Sequence, residues 1–171
     1  MQELSKNFVF FLLTGFIFIG NSCDKVNDLI PVPSMAATVD GESWTSIFRY
    51  SVLYQSNDMF MITGTPEATE EVDKAIVLSI YGTEPGTYEL IPGTLTANCL
   101  IVYKKTAGAV DGSDNYYISS TASITISKID TEKKHISGTF SASLFPSSNP
   151  DGTEIIITNG KFENLTYQQE P

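Results

Sequence analysis

HISGTFSASLF, residues 135–145, is the stretch whose reading decides the fold. Ile136, Gly138, Phe140, Ala142 and Leu144 fall on one side at period two, and Ser137, Thr139, Ser141 and Ser143 on the other. A β-strand turns successive side chains to opposite faces, so this alternation predicts one buried and one wet face, as in an antiparallel sheet. Upstream, SITISKID (123–130) alternates in the same way through Ile124 and Ile126. Downstream, TEIIITNGKFENLTY (153–167) changes its apolar parity across Asn159-Gly160, which predicts a tight turn or a bulge there.

Moving outward, the rest of the chain after Met35 reads as short strands between turn signals. MAATVDGESW (35–44) is a hairpin turning at Asp40-Gly41. TSIFRYSVLY (45–54) sets Phe48, Tyr50, Val52 and Tyr54 on one side, and such aromatics are expected in the core. MFMITG, AIVLSIYG, GTYEL, ANCLIVYKK and NYYISST follow. Only EATEEVDKAI (67–76) could hold a helical turn, and it is too short and polar to carry a core. About ten strands at this spacing predict an all-β domain, an antiparallel β-sandwich, with a lipocalin-like up-and-down β-barrel as the alternative.

Ahead of this domain stands KNFVFFLLTGFIFIGNSC (6–23). Its apolar run, Phe8 to Ile19, is short of the roughly 20 residues that cross a bilayer. A basic start, a short apolar run and small residues at its end match a secretory signal peptide. The stretch resembles a bacterial lipoprotein signal, with Ser22 directly before Cys23 and Gly20 where leucine is usual. That resemblance implies that Cys23 receives a diacylglycerol thioether and becomes the mature N-terminus. The expected organisation is therefore a signal peptide over 1–22, a lipid-anchored tether over 23–34 bearing Pro31 and Pro33, and one all-β domain over 35–171. Asp24 and Asp28 resemble a sparse form of the surface-export signal of Bacteroidota lipoproteins, so either face of the outer membrane is open.

Twenty acidic residues against ten basic ones give a formal charge of −10, which argues against nucleic acid as a partner. The doublets Lys104-Lys105 and Lys133-Lys134 sit beside turns and read as solvated charges. With Cys23 acylated, Cys99 has no disulfide partner and reads as a small buried hydrophobe. His135 is the chain's single histidine and lies on another predicted strand, so a Cys99–His135 catalytic pair is disfavoured.

For metal, DGSDN (111–115) offers only weak candidates in Asp111 and Asp114, with Ser113 between them. A polar turn is the simpler reading, because calcium takes six to eight oxygens and zinc a set of His and Cys ligands that is missing here. Glu67, Glu70, Glu71 and Asp73 read as a solvated acidic loop, and no cofactor is expected. There is no G-x-S-x-G elbow, H-E-x-x-H helix or phosphate-binding glycine loop. The Asn164-Leu165-Thr166 glycosylation triplet has no meaning in a bacterial lipoprotein. Tyr116 and Tyr117 flank the Gly-rich loop and must point to opposite faces; they are the first candidates for contact with a glycan or a small hydrophobic ligand.

VDGESW, GTYEL, ISGTF and ITNGKF together resemble a family of uncharacterised Bacteroidota lipoproteins, with Trp44, Phe140 and Phe162 at the family's aromatic positions. The 104–115 loop departs from that pattern as an insertion. The resemblance implies a compartment and a class, and no activity. The expected function is that of an outer-membrane lipoprotein with a non-catalytic binding or structural role. A glycan- or small-ligand-binding subunit of an uptake system is the alternative, and an enzyme acting on polysaccharide the least favoured.

Overall fold

The computed structural model describes residues 34–66, 74–93, 97–105 and 115–171, and all the regular structure among them is strand. In chain order these strands are β1 (Ser34–Val39), β2 (Glu42–Thr45), β3 (Phe48–Tyr54), β4 (Met59–Thr65), β5 (Ala75–Tyr81) and β6 (Gly86–Leu90). They continue with β7 (Cys99–Lys104), β8 (Tyr116–Asp130), β9 (His135–Pro146), β10 (Ile155–Thr166) and β11 (Gln168–Glu170). All join one sheet in the order β11-β3-β4-β5-β7-β8-β9-β10-β1-β2, with β6 paired to β8. Every pairing is antiparallel except that of β11 with β3.

The two ends of that order are brought together by the chain itself. β2 runs into β3 across Ser46 and Ile47, whose amides donate to Met35 O at 2.9 Å and Thr65 O at 2.8 Å. β10 runs into β11 across Tyr167, and β11 then pairs with β3. The sheet therefore curls round one core in a barrel-like form, as the expected all-β fold of about ten strands requires.

Local chemistry sets the bends. Asp40 and Gly41 both take positive φ, 50° and 82°, the pair of left-handed residues that a two-residue type I′ hairpin needs. Asn159, at φ 52°, makes a bulge inside β10 and not a turn, and the register shifts between Ile157 and Gly160. A second shift follows between Phe162 and Leu165, where Asn164 has φ 50°. NYYISST and SITISKID, expected as two strands, form the single long β8, bent by shifts after Ser119 and Ile126.

The bulge at Asn159 aligns two G-x-F motifs head to tail. Gly138 lies opposite Phe162, and Phe140 opposite Gly160. The two rings are 6.5 Å apart in a stacked arrangement, and each covers the glycine across from it. A Cβ on Gly138 would come within 2.5 Å of the Phe162 ring and closer still to Thr125 O of β8; one on Gly160 would strike the ring and carbonyl of Phe140. Across the interior, Phe60 meets Tyr167 edge-on at 5.1 Å. Met35, Ile62, Ile101, Ile124 and Ile136 are shut off from solvent altogether.

The aromatic face of β3 is a correction to the sequence reading. Of Phe48, Tyr50, Val52 and Tyr54, Val52 is buried and Tyr54 half-buried, but the two aromatics at the start of the strand face solvent. Phe48 is 57% exposed and Tyr50 38%. The inner positions go to Ser51 and Leu53, which pair with the buried Ile62 and Phe60 of β4. Periodicity finds the two sides of a strand but does not say which side is inside when both carry apolar residues.

Since nothing can be added at the glycine positions without displacing a ring or a carbonyl, Gly138→Ala and Gly160→Ala should each cost about 1–3 kcal/mol. Gly86→Ala, whose Cβ would meet nothing within 4 Å, should change stability by less than about 0.5 kcal/mol. Urea unfolding midpoints of the three variants measure the difference.

Candidate functional site

The structure separates the two tyrosines singled out by sequence. Tyr117 points inward beside Tyr103, its cross-strand partner on β7, with the rings 6.5 Å apart. Tyr116 stands on the outer face opposite Lys104 and is 44% exposed. Lys105 Nζ lies 5.9 Å from the Tyr117 ring centre and Lys104 Nζ 6.0 Å from that of Tyr116, so each lysine sits against an aromatic face. These lysines are therefore partly engaged, and not simply solvated.

Tyr103 and Lys105 also line an open recess of about 340 Å³ at this end of the sheet, together with Trp44, Asp40, Glu42 and Lys74. The Trp44 indole N–H donates to Lys74 O at 2.7 Å, and Asp40 Oδ1 accepts from the Ile156 amide at 2.8 Å. Burial, followed by the charges of Asp40 and Glu42, pushes the Tyr103 phenol above its ordinary range, so it remains a neutral hydrogen-bonding group. Opposite charges share this rim, and its aromatics are edge-buried and not open for stacking. Cys23, the metal candidates Asp111 and Asp114, and the acidic Glu67, Glu70, Glu71 and Asp73 lie outside the described residues. Among the described residues no three His, Cys, Asp or Glu side chains converge on one point.

A second recess, of about 310 Å³, lies at the seam of the sheet and was not anticipated from sequence. It is lined by Ile47, Phe48, Arg49, Ser51, Leu165 and Thr166. Its origin is topological. Among the described residues β1 begins at Ser34, opposite Glu163, and β11 begins to pair with β3 at Gln168–Val52. Between those points the walls of β10 and β3 approach without sharing a ladder. Arg49 is half-buried here, and its Nη1 donates to Ser46 O at 2.9 Å. The one ion pair among the described residues is Lys161–Glu163, so Arg49 has no carboxylate partner there. Ser51 is 2% exposed and its Oγ has no hydrogen-bond partner. The available signal was composition: Arg49 is the only arginine in the chain and it sits in an otherwise aromatic and aliphatic strand.

The outer surface divides sharply. On β9 it carries Ser137, Thr139, Ser141 and Ser143, and a shallow groove of about 430 Å³ sets the hydroxyls of Thr121, Ser123, Ser141 and Ser143 beside the apolar Leu90, Ile91 and Ile156. Across β3, β4, β5, β7 and β8 the outward row reads Tyr50, Thr63, Val77, Val102, Ile118, in register and without a charge.

Comparison with family models matches residues 32–166 to a domain of unknown function, DUF6252. The chain belongs to the DUF6252 family. No curated protein and no solved structure matches it. The DUF6252 domain takes in β1 through β10, with both G-x-F motifs and the seam recess, and leaves β11 beyond its end.

Within this DUF6252 domain Cys99 is fully buried, and its thiol donates to Tyr88 O at 3.3 Å. Burial first, and Glu89 second, push its pKa from 9.0 to about 11. Such a thiol is a packed hydrophobe and a poor nucleophile. His135 lies at the foot of β9, paired with Asp130 across the β8–β9 turn, while Cys99 opposes Ile80 on the other side of β7.

Two outcomes follow from the buried thiol. Cys99 should resist alkylation by iodoacetamide at pH 8 in the native protein and react on unfolding, as mass spectrometry would read. A raised acid pKa favours the folded state while the thiol is protonated, so this contribution is complete below the unfolded pKa of 9.0 and is lost as pH rises to about 11. Urea titrations across that window should lose on the order of 2 kcal/mol.

Proposed function

We propose that this DUF6252 chain is a lipid-anchored protein of the cell envelope, held at the outer membrane through Cys23, with a β-domain that binds and does not catalyse. The observation that carries the reading is the position of Cys23, directly after the small Ser22 where a short apolar run stops. A diacylglycerol thioether there supplies the anchor, since each buried CH₂ of an acyl chain contributes about 0.8 kcal/mol. The domain match begins at residue 32 and β1 at Ser34, so residues 23–33 separate the thioether from the sheet. Fully extended, they reach roughly 40 Å.

A binding role is supported by where the polar groups lie. Interior positions are filled by rings set against glycines, which disfavours a hydrophobic ligand inside the sheet. The groove over β9, with hydroxyls set beside apolar side chains, supports glycan contact as the second reading, as in an uptake system, because a sugar offers both hydroxyls and apolar faces.

Mass spectrometry of the membrane-fraction protein should find an acylated N-terminal cysteine at position 23. Cys23→Ala should move the protein out of the membrane fraction. An unmodified terminus, with membrane association unchanged in the variant, would exclude the anchor.

A further inference from the structure

We infer that the seam recess between β3 and β10 takes the phosphodiester of a phospholipid head group, with Ile47 and Phe48 entering the lipid interface beside it. This deepens the reading that Cys23 holds the domain at a membrane, and rests on it. The recess has the chemistry of a phosphate site. Arg49 presents a planar fork of donors, the group best matched to phosphate oxygens, and uses one of them on Ser46 O. The Ser51 hydroxyl is buried and unpartnered, and that of Thr166 lines the same space. Among the described residues no carboxylate lines the recess. A half-buried cation without an acid, beside an unsatisfied hydroxyl, asks for an anionic acceptor.

Three features point to lipid as the source of that phosphate. The rim residues Ile47 and Phe48 are apolar and, among the described residues, the most exposed of the large hydrophobic side chains, at 68% and 57%. The tether ends at the same place: Ser34 opens β1, and the next residue, Met35, accepts the amide hydrogen of Ser46 through its carbonyl. A tether from Cys23 would therefore join the domain beside this recess. The formal charge of −10 disfavours a strongly anionic surface and favours a zwitterionic head group such as phosphatidylethanolamine.

The test uses the acylated protein in vesicles with brominated acyl chains, and an Ile47→Trp variant as reporter. Native Trp44, which is buried, is the background. In phosphatidylethanolamine–phosphatidylcholine vesicles the new tryptophan should be quenched. Quenching should be lost in a phosphate-free galactolipid and on Arg49→Gln, and partly kept by Arg49→Lys. Phe48→Ser, which leaves Arg49 in place, should weaken it as well. Equal quenching in both lipids, indifferent to Arg49, would overturn the recess. Blue-shifted but unquenched emission would mean that protein covers the rim, and would overturn it too. Broadening of the inorganic phosphate ³¹P line that depends on Arg49, without quenching, would overturn lipid as the source. The intact mass of the same preparation reports acylation separately. If it shows no acyl chain, the anchor fails, and Arg49-dependent quenching on adding vesicles decides the recess alone.

Discussion

Two phenylalanines facing two glycines hold this domain in register. Gly138-x-Phe140 on β9 and Gly160-x-Phe162 on β10 run in opposite directions, so each ring fills the space that the other strand leaves open. Glycine in a strand weakens it, and a cross-strand aromatic restores what is lost. The pairing works only because the Asn159 bulge inserts its extra residue before Gly160; without it the parity of β10 would place Phe162 outside. Gly138 also lies against Thr125 O, so the contact ties the three long strands β8, β9 and β10 together. Losing either ring would cost about 3–5 kcal/mol, a large part of the stability of a domain this size.

A centre packed in this way leaves no polar group of the interior free for a ligand among the described residues that face one another there. The inward side chains are spent on one another, whereas the one buried side-chain polar atom without a partner among the described residues, Ser51 Oγ, lies where the sheet fails to zip. Among the described residues β1 begins to pair with β10 at Ser34, opposite Glu163. Below its first residue β10 and β3 are left side by side until β11 begins to pair, and the chain's only arginine is placed in the gap. Ser34, where a tether of the kind proposed would join the domain, opens β1 beside the same gap. A domain held there, as proposed, would present the exposed Ile47 and Phe48 toward its attachment.

Much of this was legible in the sequence. The alternation at 135–145, the Asp40-Gly41 hairpin and the Asn159-Gly160 irregularity all follow from local chemistry and hold in the structure. The outward turn of Phe48 and Tyr50 did not follow, because a strand apolar on both sides has no periodic signal for its inside; only the pairing of Leu53 with Phe60 fixes it. Tyr116 and Tyr117 were separable by parity, but which of them faces inward depends on Tyr103 across the ladder. The seam was invisible for a deeper reason. It is a gap between strands more than a hundred residues apart in the chain, and no local pattern encodes the place where pairing stops.

The central claim is that the interior is closed and that contact with the membrane occurs at the seam. Isoleucine methyl NMR of the acylated protein, compared between detergent and phospholipid nanodiscs, tests it directly, because Ile47 reports the rim while Ile62, Ile101 and Ile124 report the interior. The account predicts a shift of the Ile47 methyl in nanodiscs, with the three interior methyls unmoved. Shifts of the interior methyls with Ile47 unchanged would contradict it.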